Sequence, residues 1–297
     1  MAKADSVTRT VDGRRLKLTS PDKVMYPETG WTKQDVFDYY TAVADVLLPQ
    51  LKDRPVTRIR FVDGVGGDRF YEKNAPRYIP DWIRVFGISA SPGTGKEAKT
   101  VRYPVIDDLA GLLWMANQAA LELHTPQFRL GPRGGIRNPD RLVIDLDPGE
   151  GLGLDDVAEI AHLLRERLEG EGLQPVPVTS GSKGIHLYAP LDGKRTALKV
   201  HAWVRDVARE MAEAHPERLV AVQAKEQRVG KVMIDWSQNH PARSTVTPFS
   251  LRGKPSPTVA SPRRWEEIGP GLEQLGPDEV IDRLDELGAL LSVEERA

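Results

Sequence analysis

The sequence of 297 residues contains no cysteine. This absence excludes disulfide bonds, cysteine-ligated zinc sites and thiol nucleophiles together. No apolar run approaches the roughly 18 residues that a membrane-spanning helix requires. The polar first ten residues also show no signal-peptide pattern. We therefore expect a cytoplasmic protein that has no membrane association.

An excess of charge of one sign is also missing. There are 41 basic and 43 acidic residues, which give a formal net charge of −2. The overall field therefore neither favours nor excludes a nucleic acid, and phosphate binding would depend on local clusters. Hydrophobic residues make up 40% of the chain, enough for a sizeable core, and the length allows one or two domains.

Apolar residues at helical spacing predict five helices. We expect them at residues 32–49, 107–123, 156–170 and 196–214 and after Pro277. Thr32 followed by Asp35 is a helix-start pattern, and Pro49 is expected to end that first helix.

Short apolar runs predict strands at residues 141–147, 176–179, 185–189 and 231–236. Helices and strands are mixed without strict alternation, which favours an α+β class over a doubly wound sheet. The segment 89–99 is rich in glycine, serine and lysine and is expected to be a mobile loop.

The first predicted strand ends in Asp145-Leu146-Asp147. Residues two apart in a strand point to one face, so Asp145 and Asp147 project together while Ile144 and Leu146 face a core. Adjacent carboxylates repel each other, and a divalent cation that prefers oxygen ligands would relieve this repulsion. An isolated Asp-x-Asp is equally well explained as a solvated strand end, so both interpretations stay open.

Asp235 ends another apolar run, Val-Met-Ile-Asp. Three carboxylates from two strands could hold two divalent ions about 3.5–4 Å apart, an arrangement used for phosphoryl transfer. Taken alone, Asp235 is better explained as a capping or turn aspartate.

A Ser-Gly-Ser-Lys-Gly turn at residues 180–184 precedes His186. Small residues let backbone N–H groups approach an anion, and Lys183 adds a positive charge, so we expect a triphosphate here. A plain hairpin turn and a histidine satisfied within the core are the alternatives.

Basic and aromatic residues cluster around Phe70 and Tyr71, which stand between Arg69 and Lys73. Aromatic rings among cations can stack on exposed bases, although a half-buried aromatic strand residue is commoner. The sequence has neither a Walker A loop nor a Lys-x-Asp-Gly adenylation motif, which argues against a P-loop ATPase and a DNA ligase.

Six motifs, in order along the chain, resemble the polymerase domain of bacterial ligase D, within the archaeo-eukaryotic primase superfamily. They are Pro-Asp-Lys-Val-Met-Tyr-Pro (21–27), Leu-Glu-Leu-His-Thr-Pro-Gln (121–127), Leu-Val-Ile-Asp-Leu-Asp-Pro-Gly-Glu-Gly (142–151), Thr-Ser-Gly-Ser-Lys-Gly-Ile-His-Leu-Tyr (179–188), Ile-Asp-Trp-Ser-Gln-Asn (234–239) and Phe-Ser-Leu-Arg-Gly (249–253). The resemblance implies an α+β fold in which two mixed or antiparallel sheets surround a central cleft, with helices outside. It implies one domain over residues 1–297, with residues 1–30 on the surface and a helical segment, 255–297, packed on it.

The same resemblance implies roles for single residues. Asp145, Asp147 and Asp235 match a catalytic triad that binds two Mn²⁺ or Mg²⁺ ions. The positions that match contacts to the nucleoside triphosphate are His124, Ser180, Lys183, His186, Arg228, Gln238 and Arg252. The positions that match contacts to DNA are Lys23 and Lys33 for a 5′-phosphate, Phe70 and Tyr71 for the template, and Arg58 and Arg60 for the backbone.

The sequence departs from the family in three places. Tyr71 stands where relatives often have phenylalanine, Ile59 where some have lysine, and the loop at residues 89–100 fits poorly. The implied function is a template-directed repair polymerase and primase that fills short gaps or extends ends. It would add ribo- or deoxyribonucleotides, with ribonucleotides preferred, to a primer 3′-hydroxyl in non-homologous end joining or excision repair. Its expected partners are gapped or broken DNA and nucleoside triphosphates, with Ku and a DNA ligase as candidates. The alternatives are a manganese-dependent Asp-x-Asp glycosyltransferase and a non-catalytic adaptor at DNA ends.

Overall fold

The computed structural model describes residues 6–90 and 99–292. The α-helices within these ranges are α1 (Lys33–Ala42), α2 (Ala44–Leu51), α3 (Leu109–Asn117), α4 (Leu154–Glu169), α5 (Ala197–Ala214), α6 (Pro277–Asp282) and α7 (Leu284–Ala289). No helix in these ranges is long and apolar enough to cross a membrane.

The strands of the same ranges are short. They are β1 (Ser6–Val11), β2 (Arg14–Thr19), β3 (Val24–Tyr26), β4 (Trp31–Thr32), β5 (Thr57–Arg60), β6 (Phe70–Glu72), β7 (Arg84–Ser89), β8 (Thr100–Val105), β9 (Ala120–Thr125), β10 (Phe128–Leu130), β11 (Ile136–Pro139), β12 (Arg141–Pro148), β13 (Val176–Thr179), β14 (Ile185–Pro190), β15 (Leu219–Val220), β16 (Val232–Asp235), β17 (Thr245–Val246), β18 (Leu251–Arg252), β19 (Thr258–Val259) and β20 (Ser261–Pro262).

The larger sheet has six strands in the order β15-β16-β12-β14-β13-β20. Its longest strand, β12, pairs antiparallel with β14 and β16, while β15 and β16 run parallel. The alternation in β12 sends Leu142, Ile144 and Leu146 into a core that also contains the apolar stripes of α4 and α5. This packing fixes the opposite face of β12 as the one that carries the aspartates.

The second sheet has four antiparallel strands in the order β17-β9-β5-β6. Its core lies against α1 and α3 and includes Tyr40, Leu121 and Leu123. The hydroxyl of Tyr40 donates to the backbone carbonyl of Leu121 at 2.6 Å, which joins α1 to β9.

A small apolar cluster joins the two sheets. Val143 and Tyr188 from the six-stranded sheet pack against Val246 from the four-stranded sheet. The Tyr188 hydroxyl also donates to the Val246 carbonyl at 3.0 Å. One mixed and one antiparallel sheet with helices outside confirm the predicted α+β fold.

Two predicted helix ends are wrong. Helix α1 begins as expected, with Thr32 and Asp35 forming a capping box, but it ends at Ala42, and Pro49 lies inside the separate helix α2. A proline inside a helix donates no backbone hydrogen bond and crowds the carbonyl four residues before it, and α2 continues for only two residues beyond Pro49. The helix predicted to reach residue 123 ends at Asn117, because Ala119 adopts a positive φ of 57° and the chain then enters β9.

The other predicted elements are present. Helices α4 and α5 and strands β12, β13, β14 and β16 lie where the patterns place them, and α6 begins at Pro277. Val280 of α6 and Leu287 of α7 belong to the core beneath the four-stranded sheet. Most of the loop predicted at residues 89–99 lies outside the described residues.

Candidate active site

Three polar side chains form a row across three neighbouring strands. In the strand register, Asp145 of β12 lies opposite Asp235 of β16 on one side and His186 of β14 on the other. Residues opposite each other in paired strands share a face. The Nε2 atom of His186 is 3.3 Å from the Oδ1 atom of Asp145. Residues that are far apart in sequence thus converge, as the sequence analysis expected.

Asp147 stands on the same face, two residues beyond Asp145. Burial, followed by the negative charge of Asp145, raises the pKa of Asp147 to about 6. The charge of Asp235 also contributes, whereas His186 opposes the shift. The three carboxylates therefore lie close enough to repel one another, and a cation between them would relieve this repulsion.

Side-chain amides hold two of these carboxylates. The Nε2 atom of Gln238 donates to Asp235 at 3.1 Å and to Asp145 at 3.4 Å, and the Nε2 atom of Gln223 donates to Asp235 at 3.1 Å. Among the described residues, no group of three or more His, Cys, Asp or Glu side chains is arranged so that it could hold a metal ion. The all-oxygen donor set still suits Mn²⁺ or Mg²⁺ chemically, once the Gln238 amide turns away.

Asn239 fixes the strand that carries the central aspartate. Its Nδ2 atom donates to the Val143 carbonyl at 2.6 Å, and its Oδ1 atom accepts from the Val143 N–H at 3.0 Å. The β12–β16 register ends at Asp145, so this amide supplies the bonds that a longer β16 would have made. Asn239 is a positioning residue that the motif reading did not single out.

The turn at residues 180–184 is closed by its own hydrogen bonds. The Oγ atom of Ser180 accepts from the N–H groups of Ser182 at 3.2 Å and Gly184 at 3.1 Å, and the Gly181 N–H donates to Gln274 at 2.6 Å. The expectation that backbone N–H groups here are open to an anion is wrong for these three groups. Any positive charge that the turn offers comes from Lys183.

Close backbone contact keeps this turn beside the aspartates. A Cβ atom on Gly184 would lie 2.1 Å from the Leu146 carbonyl oxygen and 3.4 Å from the Oδ1 atom of Asp147. Only glycine fits this approach. The turn therefore places Lys183 next to the end of β12 that carries Asp147.

Glu122 connects three further residues near the turn. Its carboxylate is 2.8 Å from the Nε2 atom of His124 and 3.4 Å from the Nε atom of Arg252, and it accepts from the Gly253 N–H at 3.0 Å. Burial alone would raise the pKa of Glu122, but the His124 hydrogen bond and the Arg252 charge lower it to about 2. The guanidinium of Arg252 also donates to the Ser180 carbonyl. Glu122 thus links two predicted nucleotide contacts to the turn.

Gln223 forms a neutral bridge between Arg228 and Asp235. The Arg228 guanidinium donates to the Gln223 carbonyl and, at 3.0 Å, to its Oε1 atom, while the amide nitrogen of Gln223 contacts Asp235. Gln223 could not be predicted from the sequence, because it belongs to no recognisable motif.

The two predicted phosphate-binding lysines lie together, since the Lys33 N–H donates to the Lys23 carbonyl at 2.8 Å. Lys33 is buried and donates to the Thr19 carbonyl at 2.9 Å and to Asn117 at 3.0 Å. Burial, followed by the positive charges of Lys23 and Arg60, lowers the pKa of Lys33 to about 8. The Nζ atom of Lys23 is partly exposed and lies 3.2 Å from Asp63. A buried ammonium that has two cations and only neutral acceptors around it favours an anion nearby.

The expected contact of Arg58 with the DNA backbone needs correction. Arg58 is buried and donates to Glu72 at 2.5 Å and to the Asn74 carbonyl at 3.2 Å. Arg60 remains partly accessible, although it also pairs with Glu72 at 2.9 Å. A buried, paired arginine supports its strand and does not reach DNA.

Phe70 and Tyr71 are both exposed, at 46% and 55%. They are consecutive residues of the edge strand β6, so their rings point to opposite faces of the sheet. Phe70 pairs with Arg60, whereas the Tyr71 hydroxyl lies 3.3 Å from Ser244. The two rings therefore cannot act as one stacked pair on this strand.

The family is decided by comparison with known sequences. A model of the family described as LigD, primase-polymerase domain, matches residues 32–291. The chain belongs to the LigD primase-polymerase family. The family is one of DNA-directed nucleotidyltransferases, as the sequence motifs indicated, and this assignment shows that the glycosyltransferase alternative is wrong.

Related proteins support the same assignment. The multifunctional non-homologous end joining protein LigD of Mycolicibacterium smegmatis is 45% identical over 280 residues, which are 94% of this chain and 36% of that protein. The bifunctional LigD of Bacillus subtilis is 32% identical over 277 residues, 92% of this chain and 43% of that protein. The chain therefore spans less than half the length of these LigD relatives.

A solved structure shows the same fold. The polymerase domain of Mycobacterium tuberculosis ligase D, determined in complex with DNA, superposes on this LigD primase-polymerase chain with a TM-score of 0.86. The two sequences are 43% identical, and the match covers 93% of this chain and 98% of the solved domain.

Proposed function

We propose that this chain is a repair polymerase that copies a template and adds nucleotides to a primer 3′-hydroxyl at DNA gaps and broken ends. The row of Asp235, Asp145 and His186 across three paired strands is the observation that carries this proposal. With Asp147 beside it, the row gathers three carboxylates on one rigid surface, as in-line phosphoryl transfer requires.

In this proposal Asp145, Asp147 and Asp235 hold two divalent cations, Mn²⁺ or Mg²⁺. When bound, such ions lower the pKa of an attacking hydroxyl and neutralise phosphate charge. The pKa of about 6 for Asp147 supports a cation at this position, since a nearby positive charge favours the ionised carboxylate. The residues of the chain contribute mainly by holding the reacting groups in position.

The incoming triphosphate is assigned to the cationic side of the row. Lys183, Arg228 and Arg252 supply positive charge there. Arg252 is fixed by Glu122, and Arg228 is tied to Asp235 through Gln223. His186 and Gln238 contact the aspartates directly, and His124 and Ser180 complete the set by holding Glu122 and the turn. We expect ribonucleotides to be preferred over deoxyribonucleotides.

The 5′-phosphate of the downstream strand is assigned to the cluster of Lys23, Lys33 and Arg60. Lys33 already donates to neutral oxygens, so its contribution is mainly long-range charge, while Lys23 and Arg60 are accessible for direct contact. Phe70, on the face of Arg60, would then lie near this phosphate. Tyr71 would contact the template from the other face.

We place this activity in non-homologous end joining, because relatives that cover nearly the whole chain are named for that process. Ku and a DNA ligase are the protein partners that this placement suggests. Excision repair is the second pathway that the same gap-filling chemistry could serve.

Extension of a gapped duplex tests the proposal. The primer should be extended in Mn²⁺, faster with ribonucleotides, and better when the gap carries a 5′-phosphate. Asp147→Asn should abolish incorporation while DNA binding is retained. Asp206→Asn serves as a matched control, because Asp206 is exposed and, among the described residues, its one ion pair is with its neighbour Arg205. DNA binding without any extension by the wild-type protein would favour a non-catalytic adaptor.

A further inference from the structure

A second cationic cluster lies between the two sheets, at the end of β12 opposite to Asp147. Arg54, Arg129 and Arg141 line a cavity of about 60 Å³, and Asp140 is the one acidic side chain among the described residues of its lining. Within the part of the chain that the structure describes, three guanidinium groups surround one carboxylate, so two of their positive charges have no partner there. The mechanism proposed above uses none of these residues.

Arg54 is the most deeply buried member, with 2% of its surface exposed. Its terminal nitrogen donates to both Asp140 oxygens, at 2.7 and 2.8 Å, but its Nε atom has no hydrogen-bond partner among the described residues. Burial is the main cause that lowers the pKa of Arg54 to about 9. The charge of Arg141 also lowers this pKa, and the negative charge of Asp140 offsets the shift only in part. The guanidinium therefore lacks compensating negative charge.

Arg141 is buried too, and all its hydrogen bonds go to uncharged oxygens. It donates to Gln127 at 2.8 Å, to Gln50 at 3.0 Å and to Thr125 at 3.1 Å, and its guanidinium stands 5.1 Å from the centre of the Tyr188 ring. These contacts satisfy its donors but leave its charge unbalanced. Unbalanced buried charge is costly, so a counter-anion at this place would be stabilising.

Arg129 provides the accessible side of the cavity. Its side chain is 30% exposed, and its Nε atom lies 2.7 Å from an Asp140 oxygen. Leu291 and Ser292, near the end of the described chain, also line the cavity. An anion could therefore enter from solvent beside Arg129 and meet Arg54 behind it.

We propose that this cavity is a binding site for a phosphate-sized oxyanion. The planar forks of arginine match tetrahedral oxyanions, and a doubly charged one would neutralise the two unbalanced charges. One water needs about 10–15 Å³ of cavity volume. The cavity of about 60 Å³ therefore holds a few waters or one small anion.

The site is separate from the aspartates. Arg141 precedes Asp145 by four residues, or roughly 13 Å along an extended strand. Val143 and Tyr188 pack against Val246 between them and close the space. Bound anion would therefore strengthen the junction between the two sheets and the segment near Ser292 without competing with the nucleotide.

Thermal unfolding of the full chain in orthophosphate tests this site, with chloride at equal ionic strength as the reference. The melting temperature should rise with phosphate and saturate. Arg129→Gln should weaken the apparent phosphate affinity at least about tenfold, the loss expected for one charge-assisted hydrogen bond. Arg205→Gln is the matched control, because Arg205 is on the surface and pairs only with Asp206. Radiolabelled phosphate should saturate one site in the control and should need about tenfold more phosphate to fill it in Arg129→Gln.

Equal phosphate affinity in Arg129→Gln and the wild-type protein would overturn the proposal, and so would a melting temperature that chloride raises equally. A third arm uses the double variant Glu294→Gln, Glu295→Gln, because these acidic residues follow Ser292 in the sequence. Phosphate stabilisation that appears only in this variant would show that carboxylates of the chain itself are the anion, and the free-phosphate proposal would fall.

Discussion

The Asn239 side chain binds both the N–H and the carbonyl of Val143, at 3.0 and 2.6 Å. Asp145 follows two residues later on the same strand and the same face. We expect Asn239→Ala to lower the free energy of unfolding by about 2 kcal/mol or more, because two buried backbone groups lose their partners. Displacement of β12 should also reduce the rate of nucleotide incorporation by at least about tenfold.

Thermal unfolding and single-turnover extension would measure these two effects. Asn138→Ala is a suitable control, because Asn138 is exposed and bonds only to the Gly193 carbonyl. A stability loss with an unchanged turnover rate would show that Asn239 has no part in positioning Asp145.

Glu122→Gln should raise the KM for the nucleoside triphosphate more than it lowers kcat. Without the carboxylate, His124 and Arg252 lose the charge that orients them. Steady-state kinetics with varied nucleotide would separate the two parameters. Glu210→Gln, at an exposed pair with Arg167, is the control. An effect confined to kcat would contradict this role.

The stability of the wild-type protein relative to this variant should depend on pH. The pKa of Glu122 is about 2 in the folded protein, below its ordinary value near 4.5. The carboxylate therefore stabilises the fold above about pH 4.5, and this contribution is lost as pH falls toward 2. The difference in unfolding free energy between wild type and Glu122→Gln should shrink by about 3 kcal/mol over that range. Denaturant titrations at several pH values would show it, and a constant difference would refute it.

Lys23→Ala should weaken binding to a 5′-phosphorylated gap by about tenfold and leave an unphosphorylated gap little changed. The expected loss is that of one charge-assisted contact to phosphate. Fluorescence anisotropy with the two duplexes would measure it. Lys194→Ala changes the charge equally at an exposed position and should affect neither duplex. Equal losses on both duplexes would count against a phosphate pocket at Lys23.

The preference for the 5′-phosphate should fall as pH rises through about 8. The pKa of Lys33 is about 8 because burial, Lys23 and Arg60 all disfavour its charged form. Below that pH Lys33 is charged and attracts the phosphate; above it the proton is lost, and binding should weaken by up to about tenfold per pH unit. The ratio of affinities for phosphorylated and unphosphorylated gaps reports this directly. A ratio that stays flat across this pH range would exclude Lys33 from the pocket.

The sequence was most informative where polar residues interrupt an apolar strand. Asp145, Asp147 and Asp235 are costly at such positions, which marked each as a candidate ligand. The resemblance to the family then grouped the three into one predicted site. The sequence pattern was less informative for Arg58, because an arginine at the second position of a four-residue strand is equally compatible with solvent and with a buried partner such as Glu72.

Positioning residues were harder to predict. Asn239 and Gln223 are single polar residues whose partners are distant in sequence, so only the folded chain shows their roles. A signal for Glu122 was present in the sequence. Apolar and polar residues alternate in Leu-Glu-Leu-His, which places Glu122 and His124 on one face of a strand. The predicted end of α3 was wrong because Leu121 and Leu123 continue the apolar pattern of this helix across the turn at Ala119.

Arg252 is attached to both sheets at once, through Glu122 of β9 and the Ser180 carbonyl beside β13. A nucleotide whose phosphates drew the Arg252 guanidinium away from Ser180 would break one of the hydrogen bonds that connect the two sheets. Substrate occupancy and the mechanical stiffness of the whole domain would then be coupled through a single side chain.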